Sequence, residues 1–379
     1  MNKKLIVGIT APGSVILIAG QLRYFKELGY DTYLMAPNHQ RVTEYCQQEG
    51  CTHLPVDLER EISLLKDIKA LFQVFKHLRK VKPDVVNFGT PKVSLLGMIA
   101  AKLLGVRNRI YTCRGFRFEH ETGLKKAILV TMEKITARFA HKIICISNSV
   151  RDLGIENTIF SKDKSLVINK GSSNGIDLER FSPSQVKTEQ ILDLKNKLGL
   201  NETHFVYGFV GRLIDRKGIK EIYEAFNNLY AENHFLRLLI VGPIEKSQIA
   251  DLSLLEKMNE HPGVLLVGTQ INVPLYLSVM DIFCLPAWWE GFGNVSVQAA
   301  AMGLPVIATD VTGSKDAVSK DFNGLLIPAK SVTDLQNAMD FLQKNTEKRK
   351  ELGMNGLIWA KNFESKMIWD GMKKIYCSR

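Results

Sequence analysis

Short aliphatic runs alternate with amphipathic stretches from one end of this chain to the other, and that rhythm constrains the fold more than any other feature. In the first half the runs are KLIVGIT (4–10), DTYLMAP (31–37), DVVNFGT (84–90), RIYTCRG (109–115), KIICISN (142–148) and SLVINKG (165–171). Helical patterns lie between them, as in Ser14 to Leu28 and Ser63 to Lys80. Runs that stay apolar without strict alternation are buried on both faces, so they predict a parallel sheet covered by helices on each side. The rhythm breaks at SSNGIDLERFSPSQVKTEQ, a polar stretch with Gly, Pro and Ser that reads as a boundary. A second series follows: HFVYGFVGRL (204–213), LRLLIVGP (236–243), GVLLVGT (263–269), DIFCLP (281–286), LPVIATD (304–310) and GLLIPA (324–329). Two β-α-β series of similar size predict an α/β protein with two Rossmann-like domains. At 379 residues the chain also exceeds what one hydrophobic core usually holds.

Lys and Arg number 50 against 39 Asp and Glu, a formal charge of +11. That excess favours an anionic partner, whether nucleic acid, acidic lipid headgroups or phosphorylated substrates, without choosing among them. No nucleic-acid reader motif accompanies it, which leaves nucleic acid unsupported. The six cysteines are scattered without a C-x-x-C pair and read as buried reduced thiols. MNKKLIVGIT is too short for a signal peptide or a membrane span, and no apolar stretch of about 18 residues occurs elsewhere. The expectation is a cytoplasmic protein, or one bound to the membrane from that side. Between Ala101 and Lys142, ten Lys or Arg stand against three Glu. There Leu124, Ile128, Met132, Ile135 and Phe139 recur at helical spacing beside Lys125, Lys126, Lys134 and Arg138, with Leu129 and Val130 interrupting the polar side. Such a helix suits a membrane surface, although a core-packed helix with a solvated basic face reads the same way.

In open parallel sheets ligands bind outside the carboxyl ends of the strands, so the informative residues should follow strands. TAPGS follows the first run of the first half and offers a turn at Gly13. GRLIDRKG follows the first run of the second half and places Arg212 and Lys217 across a turn closed by Gly218. An Arg fork and a compact Lys charge together suit a diphosphate, although two solvated loop cations would look alike. AWWEGFGN follows DIFCLP and sets Glu290 before a glycine-broken loop, with Asn294 as a candidate N-cap. The helix VSVQAAAM, ended by Gly303, would aim unpaired N–H groups at an anion and carries Gln298 in its second turn. Its Val and Ala residues are core in either case.

Absences narrow the chemistry. No G-x-G-x-x-G or G-x-x-x-x-G-K-[ST] motif occurs, which removes support for an NAD enzyme and a P-loop ATPase. No D-x-D pair occurs to hold a divalent cation on a nucleotide diphosphate. A diphosphate would therefore be balanced by Arg212, Lys217 and a helix N-terminus, with no metal cofactor expected.

Taken in order, TAPGS, GTPKVSLLGMIAAKLLGVRNRIYTCRGFRF, ISNSV, NKGSSNGIDLERFSP, GRLIDRKG, VGP, VGT, DIFCLPAWWEGFGN and GLPVIATDVTGSKDAV resemble the retaining GT-B glycosyltransferases of the family 4 type. The likeness spans nearly the whole chain, and FESKMIWDGMKKIY resembles the C-terminal helix that crosses back to the first domain. It implies an acceptor-binding domain over 1–180, a donor-binding domain over 181–363, a returning helix over 364–379, and an interdomain cleft across which the sheets face. The subfamily is similar to capsular or O-antigen enzymes that extend a lipid-linked oligosaccharide, with N-acetyl-L-fucosaminyl transfer from a UDP-sugar the activity implied.

By this resemblance Arg212 and Lys217 grip the donor diphosphate and Glu290 bonds donor-sugar hydroxyls. The amides of Gly291, Phe292, Gly293 and Asn294 lie near the sugar and phosphates. Gln298 meets the ribose, Gly13 lies near the β-phosphate or acceptor, and the Gly268–Thr269 turn reads the base. Two positions depart from the family. Arg114 stands where many relatives have His, and would contact an acceptor pyrophosphate or the leaving group. Gln298 replaces a Glu, leaving an acceptor without charge assistance. Two rivals stay open: a UDP-GlcNAc 2-epimerase of the same architecture, and a non-catalytic nucleotide-sugar-binding subunit.

Overall fold

A computed structural model describes residues 2–59 and 63–378. The chain forms two compact units, Met1–Asn174 with Lys366–Arg379, and Gly175–Ser365. Each is a parallel α/β sheet.

The first unit contains β1 (Lys4–Gly8), β2 (Asp31–Ala36), β3 (Thr52–Pro55), β4 (Val85–Phe88), β5 (Asn108–Cys113), β6 (Lys142–Cys145) and β7 (Ser165–Val167), in the order β3-β2-β1-β4-β5-β6-β7. Its helices are α1 (Gln21–Glu27), α2 (Gln40–Glu49), α3 (Leu64–Val81), α4 (Pro91–Leu103), α5 (Gly123–Phe139) and α6 (Asn148–Glu156). Successive residues of β1 feed opposite cores, which is why its sequence does not alternate. Ile6 packs with Val74, Val93 and Leu129 of α3, α4 and α5. Leu5 and Val7 pack on the other face with Leu22, Phe25 and Val42.

The second unit contains β8 (Phe205–Val210), β9 (Leu236–Val241), β10 (Val264–Leu266), β11 (Ile282–Leu285), β12 (Val306–Thr309) and β13 (Gly324–Ile327), in the order β10-β9-β8-β11-β12-β13. Its helices are α7 (Thr188–Lys197), α8 (Ile219–Glu232), α9 (Ser253–Glu260), α10 (Val273–Leu277), α11 (Asn294–Ala301), α12 (Ser314–Ala317), α13 (Val332–Lys344) and α14 (Thr346–Ala360). The final helix, α15 (Ser365–Cys377), places Ile368, Met372 and Tyr376 in the core of the first unit. There Asn87 donates to the Tyr376 hydroxyl at 2.6 Å. Strand order reverses between β1 and β4 in one sheet and between β8 and β11 in the other. These are the switch points where a crevice opens at the carboxyl ends of strands.

Three expectations change. The sequence gives no run for β3, because THLP is a short edge strand without an aliphatic core. The single helix expected over Ser14 to Leu28 is a 3-10 turn, Pro12–Ile18, followed by α1. They part at Gly20, whose φ of +77° suits glycine and whose missing side chain admits the Trp369 ring.

The core face of α5 is also rotated from its expected position. Leu129, Glu133, Thr136 and Ala137 point inward, while Leu124 and Ile128 are exposed. Glu133 accepts a 2.6 Å hydrogen bond from the Tyr111 hydroxyl, and burial pushes its carboxyl up from 4.5 to about 7. Between those values the folded protein keeps a proton that the unfolded chain has released, so stability falls as pH rises through that window. The expected loss is about 3 kcal/mol on going from about pH 4.5 to above pH 7. Glu133→Gln should flatten this slope in denaturation experiments across the window.

Candidate active site

The loops at the second switch point follow β8 and β11. After β8 the chain runs through Arg212 into a short turn, Asp215–Lys217, closed by Gly218. Gly218 has φ +73°, and a Cβ there would overlap the carbonyl of Pro286, in the loop that follows β11. Glycine therefore lets the two loops touch. The contact is reinforced by the Trp288 N–H, which donates to the Arg216 carbonyl at 2.9 Å.

This approach brings Lys217 to Glu290. Lys217 Nζ pairs with Glu290 Oε1, and the two side chains are only 14% and 12% exposed. On its other side Glu290 is held by its backbone N–H, which donates to the Thr312 carbonyl at 3.1 Å, beyond β12. Arg212 has a separate partner. Its Nη1 bonds both oxygens of Glu245 at 3.0 and 2.9 Å, beyond β9. Arg216, which the sequence reading passed over, lies over the Trp289 ring at 4.5 Å. Burial lowers its guanidinium from the usual value; Glu290 and Glu245 oppose that shift and Arg212 adds to it. Three cations and two carboxylates thus share the mouth of the β8–β11 crevice. Such a set can exchange its own carboxylates for an incoming diphosphate.

The tryptophan loop is anchored below. Trp288 Nε1 donates to Glu221 Oε1 at 2.8 Å, and Lys330 lies over the same ring at 4.3 Å. Glu221 is buried in the first turn of α8, so it fixes the base of the loop that carries Glu290. Neither Glu245 nor Glu221 carries a local sequence signal, because each acquires its partner only on folding.

The helix after this loop starts differently from the expectation. Its N-cap is Gly293, and Asn294 is its first helical residue rather than the cap. Phe292 is buried against the Phe363 ring at 5.3 Å, which leaves its backbone for any ligand. Gln298 is half-buried, and its side-chain amide has no hydrogen-bond partner among the described residues. The hydroxyls of Ser296 and Ser314, at the starts of α11 and α12, are buried without a partner among the described residues. The Gly268–Thr269 turn is exposed beyond β10, where the Gly268 carbonyl accepts the Gly242 N–H at 2.8 Å.

Gly13 and Arg114 belong to the first unit. Gly13 is exposed in the turn after β1, and a Cβ there would meet nothing within 4 Å. Thr10 and Thr90, both missed by the sequence reading, join the loops after β1 and β4: the Thr10 N–H donates to Thr90 Oγ1 at 2.7 Å. Arg114 braces the same region. It donates from Nε to Ser173 Oγ at 2.7 Å, from Nη1 to the Gly89 carbonyl at 2.6 Å, and from Nη2 to the Leu17 carbonyl at 3.5 Å. Burial lowers its guanidinium to about 10, which leaves it charged at neutral pH. Among the described residues no three His, Cys, Asp or Glu side chains converge as a metal site.

The second unit matches the family model for glycosyl transferases group 1 over residues 190–359, and the first matches glycosyl transferase 4-like over 10–147. Over 376 residues the chain is 32% identical to the capsular polysaccharide biosynthesis glycosyltransferase CapM of Staphylococcus aureus, covering 99% of this chain and 97% of that one. The chain belongs to the group 1 glycosyltransferases. It is also 33% identical to the UDP-Gal:alpha-D-GlcNAc-diphosphoundecaprenol alpha-1,3-galactosyltransferase of Escherichia coli, over 82% of this chain and 79% of that enzyme. HepE of Anabaena in complex with UDP shares the fold at a TM-score of 0.82 and 18% identity, each chain covered fully. This glycosyltransferase therefore has the GT-B fold.

Proposed function

We propose that this glycosyltransferase moves an N-acetylated deoxyhexosamine, in its most specific form N-acetyl-L-fucosamine, from a UDP-sugar to a lipid-diphosphate-linked sugar in capsular polysaccharide synthesis. The reaction retains the anomeric configuration and needs no divalent metal. The observation that carries this reading is the Lys217–Glu290 pair set beside Arg212 and Arg216 at the β8–β11 switch point. Relatives add the acceptor class. CapM is named for capsular polysaccharide biosynthesis, and the Escherichia coli enzyme and an N-acetylgalactosaminyltransferase of Campylobacter jejuni are named for diphosphoundecaprenol acceptors.

In this mechanism the diphosphate displaces Glu245 from Arg212 and Glu290 from Lys217. The released Glu290 carboxylate then accepts hydrogen bonds from donor-sugar hydroxyls. Negative charge grows on the leaving diphosphate as the glycosidic bond breaks, so cations held in place by the fold help most in the transition state. The acceptor hydroxyl attacks from the same face and passes its proton to the leaving phosphate, which makes a separate base unnecessary. The amides of Gly291, Phe292, Gly293 and Asn294 line the phosphate and sugar, and the Gly268–Thr269 turn meets the base. Arg114 serves the acceptor side by bracing the loop of Gly13, because contact with a phosphate would cost its bonds to Gly89, Leu17 and Ser173. The enzyme works peripherally on the inner membrane face; among the described residues no helix is long and apolar enough to cross a bilayer.

Two substitutions test the donor contacts. Gln298→Glu restores charge assistance to the ribose bond and should tighten UDP about three- to tenfold by calorimetry; unchanged affinity would place Gln298 elsewhere. Gly13→Ala adds a methyl group into open space, so its melting temperature should match wild type. Its kcat/KM should nevertheless fall about tenfold or more, because the methyl enters the volume reserved for ligand. The reaction itself is tested by mass and NMR analysis of the product across a donor panel. An inverted linkage would contradict the mechanism.

A further inference from the structure

The first unit carries an apolar stripe that its core does not use. The inward face of α3 is Ala70, Val74, Leu78 and Val81, all buried. At 100° per residue the opposite face carries Leu65, Ile68 and Phe72, then Lys76, Arg79 and Lys80. Leu65 is 84% exposed and Phe72 is 72% exposed. Folding accounts for the inward set alone. A cluster of Leu, Ile and Phe on one outward face marks a surface that is covered in use.

A second patch lies on the same layer. α3 packs on α4 and α4 on α5, all against one core, so α3 and α5 flank α4 on one side of the sheet. Both follow strands of a parallel sheet and start at the same edge. The first turns of α5 expose Leu124, which is 78% exposed, and Ile128, next to Lys125 and Lys126. Three neighbouring carboxylates are already matched: Glu59 with Lys66, Asp57 with Lys69, and Glu121 with Lys125. Lys76, Arg79, Lys80 and Lys126 have no carboxylate partner among the described residues.

We propose that the outward face of α3, seconded by the first turns of α5, is the surface that enters an anionic lipid bilayer. The two apolar patches lie about 20 Å apart, with α4 between them. A flat partner reaches both patches at once, and the cations beside them match anionic headgroups. The inference rests on the proposed function only for the choice of a bilayer. It moves the main contact from the basic face of α5 to the apolar stripe of α3.

The test is flotation of the full-length protein with phosphatidylglycerol-containing vesicles and with pure phosphatidylcholine vesicles. Wild type should float with the anionic vesicles and release with salt. The triple variant Leu65→Ser, Ile68→Ser, Phe72→Ser should lose at least about tenfold in partitioning, and Lys76→Gln, Arg79→Gln, Lys80→Gln should lose the preference for anionic lipid. Folding of each variant is checked by its melting temperature and by turnover of a short-chain, water-soluble diphosphate-sugar acceptor. In Phe72→Trp the added fluorescence should be quenched by brominated acyl chains. Equal flotation of the triple variant, absent quenching, or absent wild-type flotation would overturn the proposal. So would a concentration-dependent dimer that the triple variant abolishes, because a second copy would then cover the stripe. Flotation reads lipid binding whether or not transfer occurs: turnover without flotation refutes the surface alone, and flotation without turnover refutes the function alone.

Discussion

Lys217→Ala should lower kcat about 10²- to 10³-fold, the loss typical of removing one fixed group that stabilises transition-state charge. The same substitution strips a largely shielded carboxylate of its counter-charge, since Glu290 is only 12% exposed and Lys217 is its ion-pair partner. Breaking a buried pair from one side costs about 3 kcal/mol, because the remaining charge stays desolvated. Two effects are therefore mixed in the single variant. Adding Glu290→Gln separates them: the double variant should regain most of the lost stability in denaturation experiments and none of the turnover. If Lys217→Ala kept turnover within a few-fold of wild type, the pair would be structural and the leaving group would be stabilised elsewhere.

Gly218→Ala should be comparably severe through the backbone. A side chain at φ +73° is strained, and its Cβ would overlap the Pro286 carbonyl. Together these cost about 3 kcal/mol or more if the loops stay in place. If they part instead, the Trp288–Arg216 backbone bond lengthens and Lys217 moves away from Glu290. A displacement near 1 Å at a catalytic group costs about 10²-fold in rate. The expected result is a lower melting temperature together with a kcat defect that stabilising solutes do not repair. Wild-type stability and turnover in this variant would show that the loops need not touch.

The sheets were legible because their strands are buried on both faces, and continuous aliphatic runs such as KLIVG and LRLLIV are what such burial requires. β3 was not, since an edge strand of Thr, His, Leu and Pro makes no such demand. The break at Gly20 depends on Trp369, a residue near the other end of the chain, so no local pattern carries it. The rotation of α5 has a similar origin. Its inward face includes Glu133, which is acceptable in a core only because β5 offers the Tyr111 hydroxyl.

At the candidate site, residue types and their places after strands singled out Arg212, Lys217 and Glu290 as candidates. The pairing was not legible. Lys217 meets Glu290 across two loops, and Arg212 turns to Glu245 on a third. Arg216 was overlooked because a third cation in GRLIDRKG reads as a solvated charge until Trp289 is seen beneath it.

The most direct test of the central claim is UDP release from a UDP-sugar in the presence of EDTA, with and without a diphosphate-linked sugar acceptor. Undiminished, acceptor-dependent release is the result expected of a metal-free transferase whose cations hold the leaving group. Release that requires added Mn²⁺, or conversion of the donor to an epimer without acceptor, would contradict it.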